Sequence, residues 1–248
     1  MTETSSLRVS SREAPQPPYC FVSHAWAGEG HAFAVALCTQ LQLRGIRPWL
    51  DEEQILPGAD VERSCRRAVL RDCEVFVALV GASWHASGPC QRELRYALER
   101  RDRDGLQIVP VHWEREAKPA PALGRICYIS LRDPSDSASV DRLAAAIRRG
   151  ALIRRLVRTL SEGGLGKRHE AAQLLGRIGE PSTLSPLCRS LVQDDDPLTR
   201  YWSAIAIGSI GAPEGCGALR DAGKTEAHPF VLEGIQDALE RACRDENV

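Results

Sequence analysis

The segment EVFVALVGASWHASGPCQRELRYALERR, residues 74–101, decides the fold. Its opening run EVFVALV (74–80) is short, apolar and β-branched, and reads as a strand. Its closing run CQRELRYALERR (90–101) carries Cys90, Leu94, Ala97 and Leu98 at helical spacing. Pro89 suits the start of that helix, where a missing N–H is not needed. The same alternation extends in both directions. YCFVS (19–23), IRPWL (46–50), QIVPVHW (107–113) and ICYISL (126–131) are further strands. HAFAVALCTQLQLRG, DVERSCRRAVLRD and SVDRLAAAIRRG have helical periodicity. This rhythm predicts βαβ units and a mostly parallel, five-stranded α/β domain over residues 19–150. Pro48 and Pro110 predict that the second and fourth strands are short or edge-like. The connection ending EREAKPAPALGR reads mostly as loop, and residues 1–18, rich in Ser, Pro and Glu, as a disordered leader.

Past Gly150 the strand signals stop and a helical repeat begins. Arg168–Gly179 (RHEAAQLLGRIG) aligns with Arg200–Gly211 (RYWSAIAIGSIG) at a period of 32. Arg168 matches Arg200, Ala172 matches Ala204, Gly176 matches Gly208, and a proline follows each Ile-Gly pair, at Pro181 and Pro213. Three helical hairpins are expected over 151–248: 151–161 with 167–179, 182–193 with 197–211, and 213–222 with 228–243. Three is about the minimum for a self-supporting solenoid.

The bulk composition excludes several classes of function. With 32 basic and 33 acidic residues the formal net charge is −1, so no polyanion or membrane partner is indicated. No apolar run approaches the roughly 18 residues that span a bilayer, and MTETSSLRVS is not a secretory signal. The nine cysteines form no C-x-x-C pair and sit mostly in apolar stretches, which reads as buried thiols in a reduced, cytoplasmic protein. The histidines show no metal-ligand spacing. EGGLGKRH (162–169) ends in Gly-Lys, but it follows no strand and precedes no Ser or Thr, so it is a turn rather than a phosphate loop. RRGALIRRLVR (148–158) places Leu152, Ile153, Leu156 and Val157 on one face, as a docked solenoid helix rather than a nucleic-acid surface.

Four blocks in order resemble the TIR domain: FVSHAW (21–26), RGIRPWLDEEQILPGADV (44–61), CRRAVLRDCEVFVALVGASW (65–84) and SWHASGPCQREL (83–94). The repeat motif A-x-x-x-[LI]-G-x-I-G resembles short HEAT repeats of the PBS-lyase-like kind. The TIR resemblance implies a flavodoxin-like strand order, 2-1-3-4-5, with ligands bound past strands one and three where that order switches. It further implies that Glu93 is a catalytic carboxylate in a bacterial-type NAD glycohydrolase, with NAD as substrate and neither cofactor nor metal. Ser23, His24, Trp26, Trp49, Leu56, Pro57, Gly58, Trp84, Ser87 and Cys90 then become candidate binding residues. In relatives the loop equivalent to 51–60 gates the pocket and touches a neighbouring subunit, which implies self-association through TIR domains. The repeats would dock an unidentified protein or ligand. One departure is visible: four positions before Glu93 the family has a tryptophan, and this chain has Pro89.

The chemistry asks little of the protein. Nicotinamide leaves from a pyridinium without a general acid, and one carboxylate beside the ribose stabilises the developing oxocarbenium ion. Plainer readings exist for the same residues. A glutamate in a first helical turn is favoured by the helix dipole whatever its role. Trp49, Trp84 and Trp113 suit an apolar core. The alternative function is a non-catalytic TIR adaptor acting through protein contacts, which Pro89 favours.

Overall fold

The computed structural model describes residues 16–242 except 27, 51–54, 56–57, 116–117 and 125. The leader, save for its last three positions, lies outside the described residues, as do Leu56 and Pro57. Five strands, β1 (Tyr19–Ser23), β2 (Arg47–Trp49), β3 (Val75–Val80), β4 (Gln107–His112) and β5 (Ile129–Ser130), form one parallel sheet. Their order is β2-β1-β3-β4-β5, the flavodoxin-like order. Helices α1 (Glu29–Leu43), α2 (Val61–Arg67), α3 (Ala82–Ala86) and α4 (Gly88–Asp104) connect the first four strands. A π-helical segment, Ala68–Asp72, extends α2.

Strand alternation explains the two cores on either side of the sheet. Cys20, Val22, Val75, Val77, Val109 and Val111 face one side and pack on α1 and on the next helix, α5 (Ser137–Glu162). Phe21, Phe76, Ala78, Val80 and Ile108 face the other, against α2, α3 and α4. Pro48 sits in the short edge strand, as its missing donor requires. Pro110 departs from expectation, because β4 is six residues long and internal. Its position is tolerable because β5 pairs with β4 only at Val111 and His112, which leaves that flank open at Pro110.

The change of character near residue 150 falls inside a helix, not at a break. Helix α5 is 26 residues long, about 39 Å at 1.5 Å per residue. Val140, Leu143, Ala144, Ile147 and Ala151 complete the sheet's core, while Ile153, Val157 and Leu160 enter the core of the helical array. Gly150 marks the crossing: a Cβ there would come within 2.8 Å of Val75 Cγ2 and 3.0 Å of Gln107 Cβ. Its role is close approach of helix to sheet, not termination. Leu152 also departs from expectation, pointing into solvent, since the buried stripe of the second half runs through 153, 157 and 160. The arginines of this stretch serve the fold: Arg148 donates to Arg44 O (2.7 Å), Arg149 pairs with Glu180 (2.9 Å), and Arg155 grips Glu74 (2.7 and 3.0 Å).

The array continues with α6 (Leu165–Ile178), α7 (Leu184–Gln193), α8 (Pro197–Ile210), α9 (Pro213–Thr225) and α10 (Pro229–Ala242). Each repeated residue has a physical task. Arg168 on α6 binds Asp194 (3.0 Å) and Asp195 (2.5 Å) beyond α7. Arg200 on α8 binds Glu226 (2.8 and 3.1 Å) beyond α9, with the same separation of 26 residues. Gly179 and Gly211 end their helices in the left-handed conformation, at φ 67° and 66°. Gly176 and Gly208 let neighbouring helices touch: a Cβ on Gly208 would lie 2.7 Å from Ala238 Cα.

Two stability predictions follow from these contacts. Gly208→Val should lower the unfolding free energy by about 1–3 kcal/mol through overpacking, and Gly217→Ala, where a Cβ meets nothing within 4 Å, should raise it slightly; urea titrations read both signs. Arg200 holds the Glu226 carboxyl below its usual range, chiefly by hydrogen bonding. That stabilisation is present above the unfolded-state pKa and is lost as pH falls through the depressed folded value. Glu226→Gln should therefore cost about 1–2 kcal/mol at neutral pH. The gap from wild type should close in melting curves taken progressively more acid than the ordinary carboxylate range.

Candidate active site

The switch point lies between β1 and β3, neighbours in space that are far apart in sequence. Ser23 ends β1 and pairs with Ala78 of β3, so its side chain faces α4. Glu93 reaches it from α4. Ser23 Oγ donates to Glu93 Oε2 at 2.6 Å and accepts from Trp84 Nε1–H at 3.0 Å. Glu93 is 6% exposed, and Trp84 behind it is fully buried. One face of this carboxylate is therefore held by a hydroxyl that an indole in turn orients.

The start of α4 is fixed by its own sequence. Ser87 is the N-cap, its hydroxyl accepting Cys90 N–H at 3.4 Å, and Pro89 stands in the first turn. Glu93 is consequently in the second turn, beyond the range over which a helix dipole favours an acid. The Cys90 thiol donates to His24 O at 3.2 Å and ties the turn after β1 to α4. After β3, Gly81 leaves room for Glu114, whose carboxylate accepts Ala82 N–H at 2.7 Å. Gln91 adds a bond to Trp84 O at 3.1 Å, so the 81–91 connection is held at both ends.

Beside Glu93 opens a pocket of about 340 Å³. From the β1 turn His24 and Trp26 line it; from α2, Val61, Glu62 and Cys65; from α4, Pro89, Arg92, Glu93 and Tyr96. Trp26 is 55% exposed at the mouth and stacks with His31 (centroids 5.9 Å apart) and His24 (6.4 Å). His24 Nδ1 lies 3.3 Å from Val22 O and Nε2 lies 3.1 Å from His31 Nδ1. A neutral His24 satisfies both by donating through Nδ1 and accepting at Nε2. Arg92 and Glu62 face each other across the rim at 3.6 Å. Among the described residues no group of His, Cys, Asp and Glu side chains is arranged to hold a metal ion.

The sequence-derived candidates separate into distinct places. His24, Trp26 and Glu93 line the pocket. Ser23 and Trp84 stand behind the carboxylate, and Ser87 and Cys90 fix the helix start and the turn. Trp49 is core, stacked on Phe21 at 4.7 Å, and does not line the pocket. Gly58 holds a turn at φ 86°, two residues before Asp60, the N-cap of α2. Leu56 and Pro57 lie outside the described residues. Sequence reasoning missed Arg92, Tyr96, Glu62 and His31. For Tyr96 a signal was present, since it stands three residues past Glu93 on the same helix.

Family models agree with this architecture. A family model for the TIR domain matches residues 20–144, half of the chain, and a model for HEAT repeats matches residues 166–240. Among solved structures, the TIR domain of the Toll-related receptor TRR-2 from Hydra magnipapillata is similar at 18% identity and a TM-score of 0.43. That match covers 52% of this chain and 97% of the other. A search of curated proteins returned no match.

Ser23→Ala strips Glu93 of a donor and Trp84 of an acceptor at once. Chemical denaturation should show a loss of about 1–3 kcal/mol, the range for leaving buried polar groups unpaired.

Proposed function

This chain belongs to the TIR-domain family, and from its buried carboxylate we propose that it is an NAD glycohydrolase whose helical array regulates it. The observation that carries the proposal is Glu93, held beside a pocket at the switch point by Ser23 and Trp84. A pocket of about 340 Å³ suits the nicotinamide–ribose half of the dinucleotide, with the remainder extending past the rim. Trp26, His24 and Tyr96 supply ring faces at its mouth, and Arg92 supplies a cation for phosphate.

In the reaction the bond between C1′ of the ribose and the pyridinium nitrogen breaks, and its electron pair leaves with neutral nicotinamide. Positive charge grows on C1′ and O4′. The Glu93 carboxylate stabilises that charge, and it does so strongly because the surrounding side chains exclude water. Water then adds its oxygen to C1′ and releases a proton, giving ADP-ribose. If a nucleophile of the adenine ring attacks instead, the product is cyclic. Ser23 takes no part in bond-making; its hydroxyl fixes one oxygen of the carboxylate beside the pocket.

The HEAT repeats give the chain a stack of exposed helix surfaces suited to protein docking. We place the protein among signalling or defence effectors, switched on when TIR domains associate. A second reading, a non-catalytic adaptor, is favoured by Pro89, which removes an aromatic ring from the wall beside Glu93.

Concentrated full-length protein should consume NAD and release nicotinamide. Glu93→Ala should reduce the rate by on the order of 10²–10³-fold, the usual effect of removing one electrostatic stabiliser. Chromatographic product analysis reads both values. Wild-type protein that is assembled, as judged by light scattering, and still leaves NAD intact supports the adaptor reading instead.

A further inference from the structure

Arg100 is fully buried, an unusual place for a guanidinium. It lies on α4 seven residues past Glu93, two turns on and close to the same face, about 10 Å along the axis. Its Nη1 donates to Val69 O at 2.6 Å and to Cys73 O at 3.0 Å, both at the π-helical end of α2. Here the i→i+5 pattern shifts carbonyls out of the ordinary ladder, with Cys73 N–H bonding Ala68 O at 2.9 Å. A side chain of the helix carrying Pro89, Arg92, Glu93 and Tyr96 thus clamps the helix carrying Val61, Glu62 and Cys65. Those two helices are opposite walls of the pocket.

The charge on Arg100 is not balanced by that clamp. Burial pushes the Cys73 thiol up to about 11, so it stays neutral beside the guanidinium at physiological pH. The counter-ion is Asp104, one turn further on, whose Oδ1 lies 3.5 Å from Arg100 Nε. This pair is incompletely made: Arg100 Nε, Arg100 Nη2 and Asp104 Oδ1 have no hydrogen-bond partner. The other oxygen of Asp104 is shared by Arg154 of α5 at 3.1 Å and the neighbouring Arg103 at 3.4 Å, and Arg154 also donates to Asp104 O at 3.3 Å. The array also grips this end of α4 and the start of β4. Arg189 of α7 donates to Arg103 O at 2.8 Å, and Ser182 accepts from Gln107 at 2.6 Å. Gly105 lies where a Cβ would come within 3.2 Å of Ser182 O.

We propose that the Arg100–Asp104–Arg154 cluster is a positioning element that transmits the placement of the helical array to both walls of the pocket. Arg154 sets Asp104, Asp104 sets the free side of Arg100, and Arg100 holds α4 against the π-helical end of α2. A partner that displaces the array moves Asp104 and loosens or tightens the gap between those walls. Arg100 and Asp104 touch no pocket space themselves; they act through Glu93 and its neighbours. The functional meaning rests on the reading of this pocket as the active site, whereas the mechanical link does not.

The test is hydrogen–deuterium exchange on the full chain, with Arg154→Ala, Arg154→Lys and, as control, Arg149→Ala. Arg149→Ala removes an ion pair of the same helix, to Glu180, that does not reach α4. Arg100→Ala is avoided because it empties a buried site. Arg154→Ala should speed exchange roughly three- to tenfold in 62–73 and in the first two turns of α4, with β1 and β3 unchanged. Arg154→Lys should restore most of the protection. A uniform rise across the domain, no rise, or the same pattern in Arg149→Ala overturns the proposal. None of these readouts uses NAD, so the link can fail while NAD cleavage holds, or hold while NAD cleavage fails.

Discussion

The structure depends on one helix serving two cores. The first half of α5 covers the sheet with Val140, Leu143, Ala144 and Ile147, and its second half fills the array with Ile153, Val157 and Leu160. Because a helix is stiff along its axis, fixing one half fixes the other. Gly150 sets how closely this rod lies on β3 and β4, and Arg154 and Arg155 anchor it to Asp104 and Glu74. The resting relation between array and sheet is therefore set by backbone and side-chain packing rather than by a linker, and moving the array means shifting those contacts.

The candidate site obeys a similar economy. A carboxylate can be buried only where something satisfies it. Ser23 occupies the last residue of β1, from which its short hydroxyl reaches both Glu93 on α4 and the indole of Trp84 on α3. Three elements that meet only after folding thus converge on one oxygen. The pocket in front of Glu93 is lined from the β1 turn, α2 and α4, so its width depends on how those two helices stand apart.

Much of the fold was legible because it is written in periodicity. The β1 run, the apolar stripe of α4 and the 32-residue repeat each signal their element locally, and each repeated residue proves to have a contact that explains it. What escaped depends on partners distant in sequence. Gly150 resembles a stop signal until Val75 and Gln107 are seen beneath it. Pro110 seems to forbid an internal strand until β5 turns out to begin one residue later. The Ser23–Glu93 bond spans 70 positions, so family resemblance marked both residues without joining them. Arg100 stands in an arginine-rich stretch that masks it, although its spacing from Cys90, Glu93 and Ala97 places position 100 on the buried face. The π turn before Cys73 left no trace in residue type.

The shared helix also bears on how such proteins are inherited. If α5 belonged to one domain alone, recombination could exchange helical arrays freely between sheet domains. It belongs to both. A crossover at Gly150 would join the sheet-facing half of one ancestor to the array-facing half of another, and every new pairing would need Arg154 to find an acid like Asp104. A crossover at Gly163–Gly164 keeps the helix whole but carries Ile153, Val157 and Leu160 along as a socket that the incoming array must fit. Either way the contacts of α5 limit which arrays such a chain could accept, whereas point substitutions on the outer faces of the repeats leave those contacts untouched.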